Sequence, residues 1–432
     1  MANDKDFILK NAVEVGGPTN VTLGTVTSDN LDLSTGNYFK DTPTGNSTYS
    51  ISNAGDVQSF QLEVTGGLAE VAQNFSTTLY TGTGAAQTIT NDIDLANDGG
   101  LVWIKTRGTD TNFSHLLQDT ERGAGKVLIS NGTDAEVTNS GFITSFNSDG
   151  FSIGSVQTIN KSGNDLVSWT FKKAAKFFDV VTYSGNSTAR TISHSLNAAV
   201  GTILVKNITD ADDWIVFHRS TGATNYLELN NTNAANTYDM WNNTAPTTTE
   251  FSLSAYQKVN ETGKNYVAYI FAHDTAADSQ IKCGSYTGNG STTGPEIDLG
   301  WQPQWLLIKK ADGTADWIMH DAKRGMAAGI DDVYLKANAA DAEAGGAERV
   351  SPSSTGFQIV TNGGFWNSSG STYIYIAIRA SSEPDITWPS SIEWAGGVAP
   401  SAPAVGETDV FTFSTDDGGT SYVGVKTADN LS

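Results

Sequence analysis

Tyr80-Thr81-Gly82, Tyr183-Ser184-Gly185 and Tyr286-Thr287-Gly288 stand 103 residues apart, and each opens a copy of the same series of landmarks. About 20 residues downstream comes an apolar run ending in lysine: Leu101-Val102-Trp103-Ile104-Lys105, Ile203-Leu204-Val205-Lys206 and Trp305-Leu306-Leu307-Ile308-Lys309. Unbroken apolar runs this short predict strands buried on both faces. Next come His115 to Asp119 leading to Arg122-Gly123, Trp214 to Arg219, and Trp317 to Asp321 leading to Arg324-Gly325. Gly150 to Ile153, Glu250 to Leu253 and Gly356 to Ile359 then alternate apolar with polar residues, the pattern of a half-buried strand.

Each copy closes on Asn160-Lys161-Ser162-Gly163, Asn260-Glu261-Thr262-Gly263 or Asn367-Ser368-Ser369-Gly370. These predict hairpin turns whose glycine takes a positive φ. In the strands that follow, Trp169, Tyr269 and Tyr375 align within one position. The second copy departs from the pattern, with His218-Arg219-Ser220 where Arg-Gly is expected.

Such repetition defines a duplicated unit before any function is considered. Helical signals are sparse; the alanine-rich stretch Ala337 to Ala347 is the best candidate for a turn or two of helix. The expected fold is all-β, with three tandem β-sandwich repeats of jelly-roll or lectin-like type over 77–176, 177–276 and 280–380.

The flanks follow a different pattern. Ser47 to Asn53 and Gln58 to Val64 read as two strands before Gly66-Gly67. Behind the repeats lie Asp385 to Ser390, Ile392 to Gly397, Thr408 to Phe413 and Thr420 to Val425. Neither flank holds enough strands to bury a core alone. The repeats are therefore expected to interrupt one small β-domain made of 1–66 plus 384–432, joined near Gly66-Gly67 and Pro384-Asp385; the alternative is an independent domain at each end. A loop tolerates such an insertion because closure entropy grows only logarithmically with length.

The segments DLSTGNYF, QSFQLEVTGG, ITWPSSIEWAGG and DVFTFSTDDGGTSYVG resemble pieces of a small β-domain of tailed-phage fibre and structural proteins. The repeats resemble an uncharacterised domain of structural proteins from marine and cyanobacterial phages, carried by the strand ending in Ile-Lys, the Asp-x-x-Arg-Gly turn and the Asn-x-Ser-Gly turn. The resemblance implies a non-enzymatic virion component, most naturally a tail fibre or other projecting part that contributes to host attachment. It also implies a homo-oligomer, with a trimer favoured, that contacts other virion proteins and a host-surface glycan or receptor. A glycan-binding array, a head-decoration or head-fibre protein and a polysaccharide depolymerase are the alternatives.

Composition narrows the field. With 25 Lys and Arg against 47 Asp and Glu, the formal charge is −22, which repels phosphate backbones and argues against a nucleic-acid partner. Met1 to Lys10 lacks a basic region leading into an apolar core, and no apolar run is long enough to span a bilayer. The chain is expected to be made without a signal peptide and without membrane insertion; the resemblance implies that it ends in the virion, on the tail rather than the head. Its one cysteine, Cys283, has no partner for an internal disulfide.

No catalytic, cofactor or metal site emerges. Asp119 with Glu121 and Asp316 with Asp321 are the carboxylate pairs a glycosidase would need, but their place beside a basic turn suits a structural Arg-carboxylate pair. His115, His194, His218, His273 and His320 show no metal-binding spacing. Asp210 to Asp213 and Asp416-Asp417-Gly418 lack the spacing of a calcium loop. Among ten tryptophans, Trp103, Trp169, Trp305 and Trp317 fall in strands and are expected in cores. Trp241 and Trp366, in polar Asn- and Gly-rich stretches, are the candidates for exposed contacts.

Overall fold

The computed structural model describes residues 26–27, 29–41, 47–54, 58–65, 70–108, 113–276, 278–381, 386–395, 397–400 and 407–431. They form two compact units, one from residues 1–69 with 383–432 and the other from residues 70–382. Almost all regular structure is β.

In the first unit the two ends of the chain share one sheet of five strands, in the order Tyr38–Asp41, Gln58–Thr65, Thr408–Thr415, Tyr422–Leu431 and Ile392–Trp394. Gln58–Thr65 runs antiparallel to Thr408–Thr415, setting Phe60 opposite Phe413 and Leu62 opposite Phe411. Alternation puts Phe60, Leu62, Val64, Phe411 and Phe413 on one face, where they bury with Phe39 and Tyr422. Trp388 stacks on Tyr49 with ring centroids 5.4 Å apart. The junctions at Gly66-Gly67 and Pro384-Asp385, and the segment Met1 to Lys10, lie outside the described residues.

The second unit contains three six-stranded sheets of matching strand order. In each, the strand carrying the Tyr-x-Gly tyrosine is an edge: Phe75–Thr81, Phe178–Ser184 or Ile281–Thr287. The closing strand pairs with it, Asp165–Lys172, Asn265–Ala272 or Thr372–Arg379. The lysine-terminated strand follows, Gly100–Thr106, Val200–Asn207 or Pro303–Lys310, and three shorter strands complete the sheet. A small sheet of two or three strands covers one face of each large sheet, as a β-sandwich requires. In the first sandwich Val102, Ile104, Leu116 and Leu166 of the large sheet meet Ile89, Phe151 and Ile153 of the small one.

The opposite face of each large sheet is buried as well, because it packs on the other two sandwiches. Backbone hydrogen bonds join the first sandwich to the second (Glu136 N to Ile208 O, 3.1 Å), the second to the third (Ala235 N to Ala311 O, 2.7 Å) and the third to the first (Glu343 N to Arg107 O, 3.0 Å). These residues are counterparts in the three copies, so the sandwiches close head to tail into a ring. The unbroken apolar runs follow from this: Gly100–Thr106 is buried along its whole length, with Val102 and Ile104 in the sandwich core and Leu101, Trp103 and Lys105 facing the ring.

Two local expectations are corrected and a third is refined. The Asn-x-x-Gly turns do not form hairpins. Gln157–Asn160 and Gln257–Asn260 are single helical turns, and the strand after each pairs with two sequence-distant strands instead of the one before it. Gly163, Gly263 and Gly370 do take positive φ, at 81°, 82° and 76°. The alanine-rich stretch contains the strand Ala344–Ala347 and no helix, its adjacent glycines having removed the helix propensity. Tyr375 aligns with Trp169 and Tyr269 to within one position, and the register shows that it is offset by that one position. Lys105 lies opposite Val167, Lys206 opposite Val267 and Lys309 opposite Ile374, so Ile376 takes their place. One position along a strand reverses the face, and the Tyr375 ring lies in the third sandwich's own core.

Candidate functional site

The recurring motif residues are the natural place to look for chemistry, and the structure commits them to packing. Tyr80, Tyr183 and Tyr286 each donate their hydroxyl to the carbonyl before the key asparagine, Ile159 O at 2.9 Å, Val259 O at 2.8 Å and Trp366 O at 2.8 Å. A Cβ on Gly82, Gly185 or Gly288 would overlap the backbone carbonyl of Lys161, Glu261 or Ser368, which explains the glycine of Tyr-x-Gly. Asn160 then joins the loop to the turn, donating to Ala85 O and Gly154 O and accepting from Thr83 N and the Gln87 side chain. Asn260 and Asn367 make the equivalent bonds in their sandwiches. A carboxamide filled this way is a clasp between two loops.

The Asp-x-x-Arg turn belongs to the ring. Asp119 accepts from Arg122 Nε at 2.6 Å and from Tyr269 of the second sandwich at 2.7 Å. Asp321 accepts from Arg324 Nε at 2.6 Å and from Trp169 Nε1 of the first sandwich at 2.9 Å. All four charged groups are buried, where an ion pair persists only with its hydrogen bonds complete. In the second sandwich His218 takes the aspartate's place and reaches Tyr375 O of the third at 3.2 Å. The turn glycine is retained as Gly222, φ 78°, and Thr221 replaces the arginine. A further set of contacts runs the other way round: Trp214 Nε1 donates to Ile129 O and Trp317 Nε1 to Glu228 O, while His115 lies against the backbone of Lys336.

Lys105, Lys206 and Lys309 also face these seams. Their ammonium groups reach backbone carbonyls, Thr106 O, Asn207 O, and for Lys309 Ala315 O together with Thr232 O of the second sandwich. Burial, only partly opposed by nearby carboxylates, brings each from the ordinary 10.5 down to about 8.

The remaining candidates are placed as follows. Trp241 and Trp366 are buried, contrary to expectation. Trp241 packs edge-on against Phe217 and donates to Asn225 O, and Trp366 sits in the third core donating to His320 Nε2 at 3.0 Å. A polar stretch surrounds each, but the indole has one polar atom and that atom finds a partner inside. Asp119 and Glu121 are not a working pair: Glu121 reaches outward to Lys173. Asp316 binds Asn338 and Lys336, apart from the buried Asp321–Arg324 pair. Asp213 holds Lys258 at 2.6 Å and Asp210 pairs with Lys264, so lysines neutralise that acidic turn. Asp417 caps its own turn through Thr415, Thr420 and Ser421.

Residues 70–382, the three-sandwich ring, match the family described as "Domain of unknown function (DUF7483)". The chain belongs to this family. No curated protein matches the sequence.

On the DUF7483 ring, one open cleft of about 420 Å³ lies beside the seam between the first and second sandwiches, where Glu121, Lys173, Asp179, Thr182, His194 and Ser195 converge. Asp179 accepts from Ser195 N at 2.7 Å and Ser195 Oγ at 2.8 Å, with Lys173 3.6 Å away. Serine, histidine and aspartate meet here without forming a nucleophilic triad. The Ser195 hydroxyl donates its hydrogen bond to the carboxylate and not to the histidine, and His194 Nδ1 faces the Leu196 N–H. Sequence reasoning singles out Glu121 and His194 but misses the cleft, because residues from two sandwiches line it.

Proposed function

We propose that the protein is a non-enzymatic structural component of a phage virion, a tail fibre or similar projecting part that contributes to host attachment. The observation that carries this reading is how the repeated motifs are used. The tyrosine, glycine and asparagine of the clasp and the Asp-x-x-Arg turn are satisfied internally. A catalyst retains some charged group for its substrate, whereas a building block uses its recurrent residues for rigidity. The β-domain formed by the two chain ends gives the ring a separate attachment module, and the resemblance of its segments to phage fibre proteins points the same way. The resemblance implies a homotrimer, and small sandwiches bury too little surface alone. The ring provides that burial within one chain.

The test is protein mass spectrometry of density-purified particles from a host producing this chain. The proposal expects its peptides at a fixed copy number per particle. Their absence from particles, with the protein abundant in the lysate, would refute it.

A further inference from the structure

We infer that residues 70–382 are a head-to-tail trimer fused into one chain, whose closing seam can be remade with a second copy of this chain when the ring opens. The three seams are built from counterpart residues. Glu136, Ala235 and Glu343 donate their N–H groups to Ile208, Ala311 and Arg107. Asp119, His218 and Asp321 each reach the closing strand of the next sandwich. Two seams join sandwiches consecutive in the chain. The third joins the last to the first and is held by noncovalent contacts alone.

That closing seam is as fully made as the others. Arg107 Nε meets Glu343 Oε1 at 2.7 Å, and Arg324 lies over the Trp169 ring at 5.2 Å. Ser130 Oγ donates to Ala337 O at 2.6 Å, and Asn74 Nδ2 to Gln280 Oε1 at 2.9 Å. The face of the third sandwich is thus complementary to that of the first, and the contact is heterologous. If the seam parts, an open arc presents two different faces that fit each other, and a second open arc can satisfy both. The second copy is the occupant because every group in the seam already has its counterpart in this sequence.

The experiment uses full chains carrying Arg107→Lys, made in ordinary and in ¹⁵N-labelled medium, so that a zero-length carbodiimide can join position 107 to Glu343. Mixed natively, the two labels should give same-label cross-links only. Opened together in mild denaturant and refolded at high concentration, they should give mixed-label cross-links with a discrete species of doubled mass. Cross-linked species of doubled mass from the natively purified protein, with no opening step, would overturn the fusion, since the seam would then be made between chains. Same-label cross-links alone after concentrated refolding would overturn the complementarity of the open faces. If Arg107→Lys impairs folding, the unsubstituted chain taken through the same refolding tests the second point, because the doubled species must appear at high concentration and be absent at low.

Discussion

The three seam lysines should make the protein more stable as the solution becomes mildly alkaline. Lys105, Lys206 and Lys309 fall from 10.5 in the unfolded chain to about 8 in the ring. The folded state therefore releases these protons first. Between about pH 8 and about pH 10.5 the unfolded chain binds more protons than the folded one, so unfolding becomes harder as pH rises. Integrated from about pH 7 to about pH 9, the three lysines together add on the order of 4 kcal/mol. For a ring of this size that corresponds to a rise in Tm of about 6 °C. The gain is bounded above pH 10, where buried Tyr183, Tyr269 and Tyr286 resist ionising and the unfolded chain gains by losing tyrosine protons instead. The assay is differential scanning calorimetry of the full chain across this range, beside a Lys105→Met/Lys206→Met/Lys309→Met variant. The wild type should gain Tm up to about pH 9, and the variant should be flat and more stable at neutral pH. A flat wild-type profile, or a slope that survives in the variant, would refute the argument that these amines are desolvated at the seams.

Acid should act through the histidines before the carboxylates. Burial lowers His218 and His273 to about 4 and His320 to about 3, so stability should fall as pH drops from about 6.5 toward 4, measured by urea midpoint. Asn260→Ala removes the clasp of the second sandwich and should cost about 2–4 kcal/mol, read as a lower urea midpoint with an unchanged m-value. Arg122→Met leaves Asp119 buried without its cation and should cost about 3–5 kcal/mol, while adding Asp119→Leu should recover part of that loss. Joining the flanks directly, with residues 67–383 removed, should give a folded domain with a cooperative melt, since Phe60, Leu62, Phe411 and Phe413 share one core.

The sequence carried the repeat because the clasp residues are local and inflexible. Only glycine fits where Gly82 meets Lys161, and only a side chain with both donor and acceptor can do what Asn160 does. The unbroken apolar runs likewise announced strands buried on both faces. What covers the second face was not legible, since Trp169 meets Asp321 across 152 residues and periodicity carries no such pairing. For the same reason Tyr375 matched Trp169 as an aromatic while its strand register set it on the opposite face. Trp241 and Trp366 misled because their polar neighbours are loop residues that fold over the ring system. The cleft at Asp179 and Ser195 depends on the seam, so it could be no clearer in the sequence than the seam itself.

The central claim, that the chain is a projecting structural part of a virion, is tested most directly by immunogold electron microscopy of intact particles with antibody raised against the full chain. The account predicts gold on tail fibres or other tail projections of most particles. Label on the head alone would move the protein to a decoration role, and unlabelled particles beside labelled host debris would contradict the claim.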